Sequence, residues 1–467
     1  MGSKFREVKT MKNKSINRRQ FLKKASCAAA GAIGFPYIVP SSVLGKAGSI
    51  APSNRITLGC IGMGGQGTYD MTGFLWHSDV QVIAVCDVNK ESSNYDMFYQ
   101  FEGSKAGREP ARERVESHYA KQKPAGTYKG CDSYADFREL LARDDIDAIL
   151  IAVPDQWHSI PAIMAARAGK DVYAEKPLAY TIAEGRAICD AVKRYGIVWQ
   201  TGSQQRSDGR FRRACELVRN GRIGKVHTVK VGLPYGNDKS GISIKPEPVP
   251  EGFDYDMWLG PAPWAPYCPG RCHWNWRWIS DYSGGQITDW AGHHIDIAHW
   301  GMGTEYSAPV EIEGWGKFPD GKDGLYDTAE SYRFVCKYAE GFTMIVADNR
   351  QLTQGVRFEG TKGRIFISRE NFEAEPKSVL DSVIRPNEIH LYESSDHIGN
   401  FIDCVKSRSQ TVAPAEAAHH SIMVGHLGVI AIKMGRKLNW DPKKEHFIND
   451  PEADRLLSRP MRSPWHL

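Results

Sequence analysis

Residues Gly62-Met63-Gly64-Gly65-Gln66-Gly67 follow directly on Arg55-Ile-Thr-Leu-Gly-Cys-Ile61, an apolar run of strand length, and leave room for a helix through Leu75. A second apolar run, Val80 to Val85, ends at Asp87, 20 residues past the last glycine. Glycine-rich turns alone are common. A strand before the turn, a helix after it and an acid at that distance are far more restrictive, and together they mark the first βαβ unit of a dinucleotide fold. The glycines let the backbone approach a pyrophosphate, and the helix N-terminus favours its negative charge. Asp87 would hydrogen-bond the adenosine ribose and repel a 2′-phosphate, so NAD is expected over NADP. The plain alternative for Asp87 is a solvated residue at a strand end.

The same alternation continues. Asp147 to Val153 reads as a buried strand ending at Pro154, Ile160 to Ala168 as a helix, and Asp171 to Ala174 as a strand ending in Glu175-Lys176-Pro177. Thr181 to Tyr195 reads as a helix and Val198 to Thr201 as a further strand. Such alternation predicts a parallel, doubly wound sheet, and ligands of these sheets bind at the carboxyl ends of the strands. Pro154, His158, Glu175, Lys176 and Gln204 lie at or just beyond those ends, with Arg206 close by. The segment 94–131 is polar and reads as an insertion. Beyond a boundary near residue 208 the texture changes. Val226–Leu233, Val310–Phe318, Ala329–Lys337, Phe342–Ala347 and Gly355–Ser368 read as strands, many alternating apolar and polar residues as in an antiparallel sheet with one covered face. Asn400–Lys406 and Ala415–Met434 read as helices.

A chain of 467 residues is too long for one ordinary core. The expected organisation is an N-terminal extension over 1–47, a dinucleotide-binding domain over 48–207 and a second α/β domain over 208–467. The net charge of +5 misleads, because residues 1–47 hold ten of the 60 Lys/Arg and one of the 55 Asp/Glu. The body is slightly acidic and offers no electrostatic case for nucleic acid. Within the extension, Asn17-Arg18-Arg19-Gln20-Phe21-Leu22-Lys23-Lys24 precedes a short apolar run, Ala25 to Pro40, and then small residues. Paired arginines before such a run are expected to be a twin-arginine export signal, with Met11 as an alternative start. The run is too short and too rich in Ala and Gly to span a bilayer well, and Cys27 lacks the apolar residue expected before a lipidated cysteine. A periplasmic or otherwise exported protein with no stable membrane insertion is expected. The ten cysteines form no CxxC pair, which argues against a cysteine zinc site. Cys268 and Cys272 could bridge after export, though nothing requires it.

Residues 284–300 read GGQITDWAGHHIDIAHW. At about 100° per residue, Asp289, His293, Asp296 and Trp300 of a regular helix form one stripe, with His294 and His299 off it. Asp289, His293 and Asp296 have spacing usable by a metal. A catalytic zinc wants three convergent ligands and an open position, and the dinucleotide already accounts for the cleft, so no metal is expected. Just before, Cys272-His-Trp-Asn-Trp-Arg-Trp278 is dense in indoles. Trp276 could offer its face to a sugar ring, and Arg277 could bond hydroxyls or a carboxylate; packing is the alternative for each tryptophan.

The segments GCIGMGGQG, AVCDVN, VPDQWH, AEKP, GRIGKV and GGQITDWAGHHID resemble the glucose–fructose oxidoreductase / inositol dehydrogenase (Gfo/Idh/MocA) family. The resemblance runs from residue 55 into the C-terminal half. It implies a Rossmann domain followed by an α/β domain whose large, open, mostly antiparallel sheet usually mediates dimers or tetramers. It implies sugar or cyclitol substrates. Lys176 matches the catalytic lysine, Asp289 and His293 match the residues completing the site, and the Lys176–Pro177 bond is expected to be cis. Oxidising a secondary alcohol needs a hydride acceptor and a base. His293 is the natural base; Lys176 could orient the hydroxyl, stabilise the developing alkoxide or take the proton itself. Asp289 would orient His293 or bind a neighbouring hydroxyl. The expected activity is oxidation of a sugar or cyclitol hydroxyl with tightly held, recycled NAD. The alternative resembles the family's NAD-dependent α-N-acetylgalactosaminidases, which cleave a glycoside by transient oxidation, elimination, hydration and reduction.

Overall fold

Six short apolar segments pair in parallel into the expected doubly wound sheet. They are β1 Ile56–Ile61, β2 Val80–Cys86, β3 Asp132–Tyr134, β4 Ala148–Ile151, β5 Asp171–Ala174 and β6 Trp199–Thr201. The spatial order is β3-β2-β1-β4-β5-β6, with Leu58 opposite Ala148 across β1 and β4. These strands lack alternation because helices cover both faces. The order reverses between β1 and β4, so their carboxyl ends open a crevice at Gly62 and Ala152. The structure is a computed structural model that describes residues 54–95, 105–236, 242–319 and 324–467. Residues 54–467 form one compact unit. The export-signal segment lies outside the described residues.

Local chemistry sets the helix ends. Thr181 caps the helix Ile182–Tyr195 by accepting from the Glu184 amide, and Gly196 closes it at φ +64°. The segment read as an insertion holds a crossover helix, Arg108–Ala120, between β2 and β3. Its charge hid a narrow buried stripe of Ala111, Val115 and Tyr119, spaced four apart on one helix face. The Tyr119 hydroxyl accepts from the Val82 amide at 2.9 Å.

The second sheet comprises β7 Val226–Leu233, β8 Glu311–Lys317, β9 Ser331–Lys337, β10 Thr343–Asp348, β11 Gly355–Gly360, β12 Gly363–Ile367, β13 Phe372–Glu375, β14 Leu438–Asp441 and β15 His446–Phe447. Its order is β13-β12-β11-β7-β10-β9-β8-β14-β15. Pairing is antiparallel except between β10 and β7. Alternate residues of β9, Tyr332, Phe334 and Cys336, are buried against the helix Ala415–Met434. Close packing there needs glycine: a Cβ on Gly428 would lie 2.6 Å from the Phe334 ring. The span 355–368, read as one strand, is a hairpin in which Gly360 and Gly363 pair across the turn Thr361-Lys362. The break was visible in the sequence: Glu359-Gly-Thr-Lys-Gly-Arg364 interrupts the apolar run with the glycines and polar residues of a tight turn.

Residues 242–283 are mostly irregular and build a third core of Phe253, Tyr255, Trp258, Tyr267, Trp278 and Tyr282. This segment reaches the end of β2. The Lys90 amide donates to Gly252 O at 2.8 Å and the Asp254 amide to Val88 O at 2.9 Å.

Candidate active site

The turn after β1 can be built only with glycine. Gly62 has φ +85°, and a Cβ there would lie 2.4 Å from Ala152 O; on Gly67 it would lie 1.8 Å from Gly62 O. The following helix, Gly65–Leu75, has neither a side-chain cap nor an acid in its first turn, so its free amides suit a pyrophosphate. Asp87, at the end of β2, accepts from the Met63 amide at 2.7 Å, the Asn89 amide at 2.7 Å and the Tyr95 hydroxyl at 3.1 Å. Burial raises its pKa to about 6, opposed by those donors. Met63 contributes its amide, while its side chain is fully buried. Gln66 donates to Asp70 at 2.9 Å. A cradle that excludes Cβ atoms, with a carboxylate at the second strand end, fits NAD. Tyr95 was not anticipated; its ring lies 3.2 Å from where a Gly64 Cβ would be.

The chemistry converges on Asp289. Lys176 follows β5, its bond to Pro177 is cis, and its Nζ donates to Asp289 Oδ1 at 2.9 Å and to Asp289 O at 3.3 Å. The lysine stem lies along Gly292, where a Cβ would meet Lys176 Cβ at 3.1 Å. Ser203 Oγ donates to Gly292 O at 3.0 Å and ties that turn to the end of β6. Burial works to raise the Asp289 pKa, but Lys176 and Arg277 hold it below the usual carboxylate range. His293 is buried, and its Nδ1 has no hydrogen-bond partner among the described residues. Burial first, then the positive charges of Lys176 and Arg369, push its pKa well below 6.5. The imidazole is therefore neutral at pH 7 and able to accept a proton.

The segment 284–300 is not one regular helix. An α-turn, Gln286–Trp290, passes into a π-helical stretch, Ala291–Ile295, and then into the helix Asp296–Met302. Such π-bulges shift every later side chain around the axis and recur at functional sites. The expected stripe is thereby broken. Asp289 and His293 lie beside Lys176, whereas Asp296 accepts from Arg206 at 2.6 and 2.8 Å and from Ser421 at 2.9 Å. Arg206, read as a cleft residue, is buried in this pair, with Glu305 at 2.9 Å and the Trp300 ring beneath it. His294 Nδ1 bonds Gly232 O at 3.0 Å, and His299 Nε2 bonds the Tyr338 hydroxyl at 2.8 Å.

The other singled-out residues divide. Gln204 donates to Glu175 Oε1 at 2.9 Å. Burial raises Glu175 to about 7, against the opposing charge of Lys176. His158 is buried behind Pro154, with Nε2 on Val153 O at 2.8 Å, so it braces the strand ends rather than facing the cleft. Arg277 lies between the rings of Trp274 and Trp276, at 4.3 and 4.5 Å, with Nε 3.8 Å from Asp289 Oδ1. Those indole faces hold the guanidinium. Trp278 is wholly buried. Cys268 and Cys272 are buried free thiols.

Two residues here escaped the sequence reading. Asp155 accepts from Ser283 Oγ at 2.7 Å, and burial, with Asp289 nearby, raises it to about 7. Its position between Pro154 and His158 was the available signal. Arg369 follows β12 and lies 4.9 Å from the Trp290 ring; no local pattern marks it.

Residues 214–467 match the profile described as "Oxidoreductase family, C-terminal alpha/beta domain", and residues 109–203 the one described as "Oxidoreductase family, NAD-binding Rossmann fold". Myo-inositol 2-dehydrogenase of Thermotoga maritima is 25% identical over 323 residues, 66% of this chain and 84% of that one. Alpha-N-acetylgalactosaminidase of Shewanella oneidensis is 32% identical over 194 residues, only 38% of each chain. The crystal structure of aldose-aldose oxidoreductase from Caulobacter crescentus superposes with a TM-score of 0.56 at 18% identity, covering 82% of this chain and 99% of that one. That of the WlbA dehydrogenase from Bordetella pertussis, in complex with NADH and UDP-GlcNAcA, gives 0.57 at 16%, covering 83% and 99%. At these identities the two structures establish the shared fold.

Proposed function

The chain belongs to the Gfo/Idh/MocA oxidoreductase family, and on that premise we propose that it oxidises a secondary hydroxyl of a sugar, sugar derivative or cyclitol. The observation that carries this reading is the Lys176–Asp289 pair beside a neutral His293 whose Nδ1 bonds nothing among the described residues, at the carboxyl ends of the NAD-binding sheet. NAD, when bound, supplies the hydride acceptor. Lys176 holds the reacting hydroxyl and stabilises its oxygen as negative charge develops. His293 takes the hydroxyl proton. Asp289 fixes the lysine ammonium and keeps it aimed. Positioned acid–base groups of this kind contribute roughly 10²–10⁴-fold.

Tight retention of NAD is part of the proposal. The segment 250–254 is bonded to residues 88–90, next to Asp87, so it stands beside the adenosine end of the cradle. Twin-arginine export of the folded protein with its cofactor fits the Arg18-Arg19 segment, since no NAD pool awaits it outside. The exposed Trp315 on β8 suits a second copy packing on the open sheet.

The experiment is purification without added cofactor, denaturation and assay of released NAD, followed by a sugar and cyclitol panel scored by absorbance of the reduced bound cofactor. No released NAD would end the retention reading; no reduction by any member would end the oxidoreductase reading. The 32% identity to the Shewanella glycosidase favours a second reading, glycoside cleavage with no net redox change. Release of aglycone from chromogenic glycosides without accumulation of NADH would select it.

A further inference from the structure

Charge around Asp289 does not balance. Lys176 Nζ and Arg277 Nε approach the same carboxylate oxygen, at 2.9 and 3.8 Å. Arg369 sits over Trp290, near enough to act on both Asp289 and His293. Among the described residues Arg369 has no ion-pair partner, and no hydrogen bond reaches Arg277 Nε. Asp155 and Glu175, the neighbouring acids, are raised by burial to about 7, so at neutral pH each is only about half-ionised. Three cations thus face one fully ionised carboxylate and two partly ionised ones, and positive charge remains in excess. Oxidised nicotinamide would add a further positive charge.

Arg277 is also a costly residue to place here. Its side chain is 19% exposed, two indole faces fix its plane, and Nη1 is spent on Trp274 O at 3.3 Å. A partly buried guanidinium whose nearest carboxylate is already taken by a lysine is under-neutralised. A neutral hydroxyl would satisfy a donor without offsetting the charge. A carboxylate does both, and its planar geometry matches the arginine fork.

We propose that the substrate is an acidic sugar, a uronic acid or uronide, whose carboxylate is bound by Arg277 and Arg369 while a hydroxyl of the same ring meets Lys176 and His293. This rests on the reading that the site oxidises a sugar hydroxyl. The carboxylate is a recognition group, and no bond to it changes.

The test uses the NAD-loaded protein and isothermal titration with the methyl glycosides of glucuronic, galacturonic and mannuronic acid. Each is paired with its uronamide, which keeps the shape and removes the charge. At least one uronide is expected to bind about 10- to 100-fold more tightly than its amide. Arg369→Gln alters an exposed side chain and is expected to fold normally; in it, and in Arg277→Gln, the acid-to-amide ratio falls at least severalfold while bound NAD is retained. Equal binding of every acid and its amide, or binding of neither, overturns the proposal. So does a ratio unchanged in both variants. A 6-O-sulfated glycoside bound as tightly as the best uronide overturns the assignment to a carboxylate. Cofactor absorbance is read separately. Uronide binding without reduction of NAD sinks the oxidoreductase reading and leaves the carboxylate site. Reduction by neutral glycosides, with acid and amide binding alike, does the reverse.

Discussion

The ammonium of Lys176 lies 2.9 Å from Oδ1 of Asp289, although 113 positions separate the two residues. One sits on the loop after β5 of the first sheet, the other in the turn before a π-bulge of the helix segment that packs on the second. In the proposed mechanism, Lys176→Ala removes the group that meets the reacting oxygen. The rate of bound-NAD reduction in single turnover is expected to fall by about 10²–10⁴-fold, with NAD content unchanged. Undiminished turnover would remove Lys176 from the mechanism.

Among the described residues, Arg206 and Asp296 form the most buried ion pair, with side chains 3% and 2% exposed. Removing one partner strands the other charge in the interior. Asp296→Asn is therefore expected to cost about 3–5 kcal/mol of stability, measured from the urea midpoint of the NAD-loaded protein. An unchanged midpoint would show that the arginine is compensated elsewhere.

His293 sets the expected acid limb of activity. Its pKa is depressed by burial and then by Lys176 and Arg369, so the base stays competent well below pH 6.5. Arg369→Gln removes one of the depressing charges, raises the imidazole pKa and moves the acid limb of kcat/KM to higher pH. A limb that does not move would argue that another group takes the proton.

Glu175 and Asp155 tie stability to pH in the opposite sense to an ordinary salt-bridged acid. Their folded values of about 7 lie above the ordinary 4.5 and 3.8. Between those limits the folded chain holds protons that the unfolded chain has released, so these two groups lower stability as pH rises from about 4 to 7. Glu175→Gln should flatten that slope. Thermal melts of wild type and variant across this range check the sign.

Asp87 bonds the amides of Met63 and Asn89 and faces the ribose end of the cradle. Asp87→Ala removes the acceptor for ribose hydroxyls and the repulsion of a 2′-phosphate. The NAD-to-NADP affinity ratio is expected to drop by about 10- to 100-fold, as read by calorimetry on stripped protein. A ratio that stays fixed would place the discrimination in Tyr95 or in Arg108, whose Nη1 donates to Asp87 O at 3.1 Å.

Much of this molecule was legible in its sequence because the determining forces are local. The glycine turn, the strand before it and Asp87 report one backbone geometry within about 30 residues. Uninterrupted apolar strands in the first half and alternating ones in the second reported which faces are covered. Resemblance supplied Lys176, Asp289 and His293 as a set; spacing alone did not.

Tertiary structure decided the rest. A regular helix put Asp289 and Asp296 on one stripe, and the π-bulge sent them to different cations, because its extra residue is accommodated where Gly292 packs against Lys176 and the stretch against β7, rather than by any local propensity. The polar helix 108–120 looked like an insertion until its narrow stripe met the first sheet. The sequence by itself determined a dinucleotide fold and the residue types for moving a proton. Arg277 could be singled out from its place among the indoles, but only the folded chain brought it and Arg369 near Asp289, since a guanidinium's partners are set by what surrounds it in space, and those neighbours come from segments far apart in the chain.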